Sequence, residues 1–345
     1  MIRRASKDGI AHVTPFAIWG LGLRETVHFS LNTGLAAATA VSSKVLLEAM
    51  KGETDVELRG GGPEGIEVCG AYGNCRVPSE GHEGEACPGT DPISKPDATA
   101  SIDGRELANA VAGVLPAVSE DARRYHLDGI SVEVDDARIR LTATDGHRLH
   151  HRLVSCSTSG AKYIAGCLPA TALTVLAAKG GDVQIDVGGT LWHICQGPLT
   201  VVARAEDDFP PYEQVIPKTV QLICTVDRRV FVEAVKRLVG AVKGLKKKGE
   251  KVPRGAVFLT DFSGKAIVGQ VTDCDTGDVV VAEVKIPVRF ESCAHRQKKI
   301  AINPSYMLEA IESMDGDEIT VGFNGPRDPV KFSSRASLAI VMPMI

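Results

Sequence analysis

The stretch Leu141–Leu149, LTATDGHRL, decides how the chain is read, together with the last six residues, Ile340–Ile345, IVMPMI. Asp145-Gly146 stands between the alternating runs 137–143 and 149–154. Glycine tolerates positive φ and Asp-Gly favours a tight reversal, so a hairpin turn is predicted there. His147 and Arg148 are expected to leave the turn as exposed polar groups beside Leu149. The terminal run has five apolar residues and a proline with no charged side chain, so it is expected to be buried or offered to a partner.

Working outward, a unit of one helix followed by strands recurs. Ser42-Ser43 can cap a helix over 44–50, with strands at 55–59, 65–68 and 74–77. Pro169 and Thr171 open a second such unit with strands at 183–187, 191–194 and 199–203. Pro304 opens a third with strands at 318–323, 330–333 and 338–342. Between them lie helices at 103–114 and 227–242, followed by strands at 129–134, 138–143 and 148–154, and at 255–259, 265–271 and 279–284. Five copies make an α+β chain of repeated half-domains; 16–23 and 26–31 read as strands of a degenerate sixth. Domains are expected at 1–97, 98–216 and 217–345, the first with a degenerate opening half.

The helix 227–242 is read as burying Val230, Ala234, Leu238 and Val242, with Arg229, Lys236 and Lys243 spaced by seven on another face. Ten cations stand between Arg228 and Arg254, with Glu233 and Glu250 as the only acids. Lys246, Lys247 and Lys248 lie in the loop that follows. Such a field suits sequence-independent phosphate contact. Arg123, Arg124, Tyr125 and His126, at the corresponding place in an earlier unit, add an aromatic among cations. A solvated lysine-rich loop is the bland alternative.

Composition bounds the rest. The chain has 345 residues, 44% hydrophobic and 24% charged, with a formal net charge of −4, which excludes a globally basic DNA binder but not a basic patch. No apolar run is long enough to span a bilayer and MIRRASKDGI lacks a secretory core, so a cytoplasmic protein is expected. Nine cysteines without a CxxC pair read as free thiols.

Catalytic and metal readings find little support. Asp145, His147, His150 and His151 sit close in sequence, but on a strand His147 and His151 share one face and His150 takes the other. Cys69, Cys75, His82 and Cys87 lack the short zinc knuckle. Gly60–Gly65 matches GxGxxG, but Pro63 interrupts it and a strand follows, so it reads as a turn. No cofactor, metal or enzymatic activity is expected; the rival reading is a metal-dependent nucleic-acid hydrolase built on Asp145 and these histidines.

Four segments in order, YHLDG (125–129), ATDGHRL (143–149), DFPPYEQVIP (208–217) and VMPM (341–344), resemble hallmarks of the bacterial sliding clamp, the β subunit of DNA polymerase III. The resemblance spans roughly residues 99–345. It implies a DNA clamp fold, a ring with helices inside and sheets outside, made by a head-to-tail homodimer around double-stranded DNA. It further implies a processivity factor whose partners are the polymerase III catalytic subunit, the clamp loader and other proteins with clamp-binding motifs. Such partners insert a short apolar-anchored peptide into a cleft, which would here use Leu127, Thr144, Gly146, His147, Arg148, Leu149, Pro210 and Val215. Ile340, Val341, Met342, Pro343 and Met344 would complete it. The alternative is a clamp-like decoy or regulator that binds the partners without closing a ring.

Overall fold

A computed structural model describes residues 10–344, apart from 15–16, 22–24, 31–34, 36–38, 52–55, 84–91, 122–123, 125–126, 136, 161–162, 176–180, 207, 246–255, 262–265, 274–278 and 294–298. The described α-helices are α1 (Ser43–Ala49), α2 (Gly104–Val114), α3 (Ala170–Thr174), α4 (Arg228–Leu245) and α5 (Pro304–Glu312). Each of the five is entered directly from a strand: Thr39–Ser42, Ala98–Asp103, Tyr163–Pro169, Leu222–Asp227 and Lys299–Ile302. The repeat is therefore strand, helix, strands. Sequence reading missed the leading strand because runs such as ATASID carry small and polar residues with little β-branched content.

Three helices start on a side-chain cap. Asp103 Oδ1 accepts from the amides of Arg105 and Glu106 at 2.9 and 3.0 Å. Asp227 Oδ1 accepts from Val230 at 2.9 Å and Asn303 Oδ1 from Ser305 at 3.0 Å. Each satisfies a donor that the first turn leaves open. Ser42 occupies the cap position of α1 but makes no capping bond, contrary to expectation.

The backbone groups into two compact units, Met1–Val111 with Asp128–Ile139 and Val154–Phe209, and Ala112–Leu127 with Arg140–Leu153 and Pro210–Ile345. In the first, ten antiparallel strands run in the order 157–160, 98–103, 182–188, 191–196, 199–204, 25–30, 17–21, 10–14, 39–42 and 79–83. The strand Ile10–Thr14, absent from the sequence reading, pairs on both sides. A smaller sheet, 56–60, 66–70 and 73–77, covers α1 over a core that includes Leu46, Leu58, Ile66, Val68 and Val77. The glycine-rich segment is a turn, as expected: Gly65 takes φ +84° there, and a Cβ on it would lie 2.2 Å from the Val77 carbonyl oxygen.

In the second unit the ladder runs 148–155, 337–341, 330–333, 318–323, 222–227 and 289–293. A four-stranded sheet, 279–287, 266–273, 256–261 and 299–302, lies within the same unit. α4 packs on α5 and on strands 266–273 and 279–287. The buried face of α4 is Phe231, Val232, Val235, Leu238, Val239 and Val242. This corrects the expected register: Val230 is 45% exposed and Ala234 only half-buried. Phe231, Val235, Leu238 and Val242 complete a helical stripe of their own, and Phe231 is the larger anchor. Among the described residues no helix is long and apolar enough to cross a membrane.

Candidate functional site

The connection between strands Arg138–Thr144 and Arg148–Ser155 is three residues, Asp145, Gly146 and His147, one longer than the Asp-Gly turn expected. Gly146 takes φ +85°, which only glycine adopts at little cost. The Asp145 carboxylate accepts from the amides of His147 (2.9 Å) and Arg148 (3.0 Å), an Asx turn. Thr144 Oγ1 donates to the Arg148 carbonyl at 2.6 Å and accepts from the Gly146 amide at 3.1 Å. The turn is thus held by its own side chains.

The C-terminal run meets this turn through the ladder. Arg148 pairs with Val341 and Leu149 with Ile340. Past the strand, the Met342 amide donates to the His147 carbonyl at 2.9 Å and the Met344 amide to the Ala301 carbonyl at 2.8 Å. Leu127 joins from a third segment: its loop closes by Ser119 N–H to Leu127 O at 2.9 Å, and Arg124 Nη1 reaches the Asp145 carbonyl at 2.6 Å. The 3-10 turn Tyr212–Val215 is drawn near by the Tyr212 ring, 6.0 Å from that of His151.

Burial sorts these residues into two kinds. Leu127, Thr144, Leu149, Ile340 and Val341 are buried and form the floor. Gly146, His147, Val215 and Met342 are exposed, and Arg148, Pro210, Pro343 and Met344 are half-buried. Met342 at 38% and Val215 at 49% exposure are large apolar groups left on the surface, which suits an adaptable apolar contact.

Arg148 departs from expectation. Its side chain is only 11% accessible, with Nε 3.1 Å from Asp145 Oδ2 and a second contact to Glu309. The guanidinium lies 4.3 Å over the Tyr306 ring, and His147 stacks on the same ring at 6.4 Å. The charge is taken up by two carboxylates and an aromatic face, because α5 brings Tyr306 and Glu309 to the turn. Sequence reading selected neither Tyr306 nor Glu309 as a site residue. An open cleft of about 890 Å³ adjoins this cluster, with Leu115, Pro116 and Val118 facing it besides Tyr306, Glu309 and His147.

The neighbouring histidines do not converge. His150 is buried, with Nδ1 3.0 Å from the Gly113 carbonyl, so Nδ1 carries the proton and the ring is neutral. His151 Nδ1 pairs with Thr142 Oγ1 at 2.9 Å. Among the described residues no three His, Cys, Asp or Glu side chains are arranged to hold a metal. Burial pushes the His150 pKa down to about 4, with Arg148 adding to the effect and the bond to Gly113 opposing it. Unfolding returns it toward the ordinary value near 6.5, so the unfolded chain binds the proton first as pH falls. Stability is therefore lost between about pH 6.5 and pH 4, by about 3 kcal/mol at the lower end. Urea midpoints at pH 7 and pH 4.5 check this: a His150→Gln variant is expected to lose less stability across that interval than the parent.

Of the expected DNA-contacting residues, Arg229, Lys236 and Lys243 share the exposed face of α4 with Arg237, which sequence reading did not select. Arg229 lies 3.6 Å from Asp317, and Lys236 lies 3.2 Å from Glu233 and 3.7 Å from Glu312. These pairs are exposed and worth little, so a phosphate can replace the carboxylates. Arg124 is turned to the Asp145 carbonyl instead. Arg123, Tyr125, His126, Lys246, Lys247 and Lys248 lie outside the described residues.

Antiparallel sheets with interleaved helices, in this order, define a DNA-clamp fold, and known proteins agree. Residues 101–206 match the family model for the DNA polymerase III beta subunit, central domain. The beta sliding clamp of Rickettsia bellii is 24% identical over 324 residues, 88% of this chain and 81% of that protein. Several other curated clamps match over 57–64% of their own length. The crystal structure of the Bacillus subtilis sliding clamp superposes with a TM-score of 0.79 at 18% identity, over 100% of this chain and 95% of that one. The Helicobacter pylori beta clamp, solved bound to a DNA ligase peptide, gives 0.75 at 15% identity with the same coverage. The chain is thus similar in sequence, and over its whole length in fold, to the bacterial sliding clamps, the β subunits of DNA polymerase III.

Proposed function

We propose that the protein is a processivity clamp: a non-catalytic subunit that encircles double-stranded DNA without reading sequence and tethers the replicative polymerase III catalytic subunit. Clamp loader and other motif-bearing proteins would share the cleft, and the work would be cytoplasmic, on the nucleoid. The division into domains 1–97, 98–216 and 217–345 belongs to this reading and is supported by the central-domain match over 101–206. The observation that carries the proposal is the junction of the DGHR turn with the C-terminal run. Two segments far apart in sequence are joined by a ladder and by the Met342 to His147 bond, leaving Met342 and Val215 on the surface.

A homodimer is supported by the strand Val279–Pro287. It is outermost in its sheet, with Val280 and Val281 45% and 46% exposed, and an open valine-rich edge favours pairing with another strand. Phosphate contact is supported by the basic exposed face of α4. The test is primer extension by the polymerase and loader of the same cell on a circular template. Long products that shorten when the template is linear are expected, with a dimer in light scattering. Unchanged product length would overturn the reading, and a monomer that still bound peptide would point to a decoy of clamp partners.

A further inference from the structure

We propose that the docking surface at the DGHR turn continues into the adjoining cleft, and that this extension takes the flanking part of a partner peptide carrying an apolar residue next to a lysine or arginine. The proposal rests on the peptide-binding reading and adds a second, charge-selective contact to it.

The cleft, about 890 Å³, has room for several side chains beyond the anchors. One wall comes from the end of α2 and the turn after it, where Leu115, Pro116 and Val118 are only half-buried. Partly exposed apolar groups in a concavity gain by covering. The opposite side carries Tyr306 and Glu309.

Charge selects the occupant. Four carboxylates, Glu120, Asp121, Asp145 and Glu309, line the cleft against two guanidiniums, Arg124 and Arg148. Arg148 pairs with Asp145 and Glu309, and Arg124 donates to the Asp145 carbonyl, so the described lining keeps an excess of two carboxylates over guanidiniums, to which Glu120 and Asp121 contribute. Glu309 keeps 37% of its side-chain surface open and Glu120 is exposed. A lysine or arginine can lay its methylenes on the apolar wall and place its head among these carboxylates. An acidic residue there meets like charge.

Fluorescence anisotropy with the full-length protein tests this. The probes are a short labelled peptide with leucine and phenylalanine anchors, and the same peptide extended at either end by Leu-Lys or Leu-Glu. One Leu-Lys extension is expected to bind about tenfold tighter than the short peptide, and about fivefold tighter than its Leu-Glu counterpart. Half-molar salt should shrink the second preference. Glu120→Lys is expected to erase the lysine preference, and Val118→Asp to erase the gain from extension; both should leave the short peptide bound as before. If the short peptide binds and neither extension gains, the inference falls while the peptide reading stands. If the short peptide does not bind at all, both fall.

Discussion

Removal of Met342–Ile345 is expected to weaken binding of a leucine- and phenylalanine-anchored peptide by about a hundredfold, while the protein stays folded. The strand ends at Val341, which is fully buried and remains. Beyond it the described tail contributes two backbone hydrogen bonds, Met342 to His147 and Met344 to Ala301. Their loss costs about 2 kcal/mol at the usual net value. Met342, Pro343 and Met344 are exposed or half-buried, so they finish a surface rather than fill the core. Covering two such side chains is worth about 3 kcal/mol to a ligand, hence the hundredfold. Anisotropy titration gives the affinity and a urea midpoint the stability. Unchanged affinity would place peptide binding elsewhere on the molecule.

Phe231→Ala is expected to cost about 3–5 kcal/mol, the largest stability loss among the changes considered. Phe231 is 1% exposed and its ring lies 6.3 Å from that of Phe332, tilted by 48°. Truncation leaves a cavity at the contact between α4 and the C-terminal sheet, and removes an aromatic pair. Val230→Ala, one residue earlier and 45% exposed, is expected to change stability by less than about 0.5 kcal/mol. Urea unfolding of the two variants reads the helix register directly. A larger loss at Val230 than at Phe231 would mean that the helix is rotated from the orientation described.

The register of α4 shows where sequence reading slipped. Positions 230, 234, 238 and 242 and positions 231, 235, 238 and 242 both satisfy helical spacing, and the valine-rich sequence leaves either stripe apolar. What breaks the tie is packing volume: Phe231 has a place against Phe332, a residue about a hundred positions away. The leading strands were missed for a related reason. Ladder hydrogen bonds to partners remote in sequence hold Ala98–Asp103 and Ile10–Thr14, and nothing in their own composition announces it.

The repeat of helices and strands, the turn at Gly146, the glycine-rich turn after residue 59 and the helix starts near Asp103, Asp227 and Pro304 follow from the sequence alone. Each depends on contacts within a few residues, where periodicity, caps and glycine φ speak directly. The meeting of the turn with the last residues was legible only through a resemblance of motifs. The capture of Arg148 by Tyr306 and Glu309, the burial of His150 on Gly113 and the cleft beside them were decided by tertiary structure. These join groups between 37 and about 160 residues apart in the chain, and a side chain's charge, exposure and proton affinity are set by such neighbours rather than by its place in the sequence.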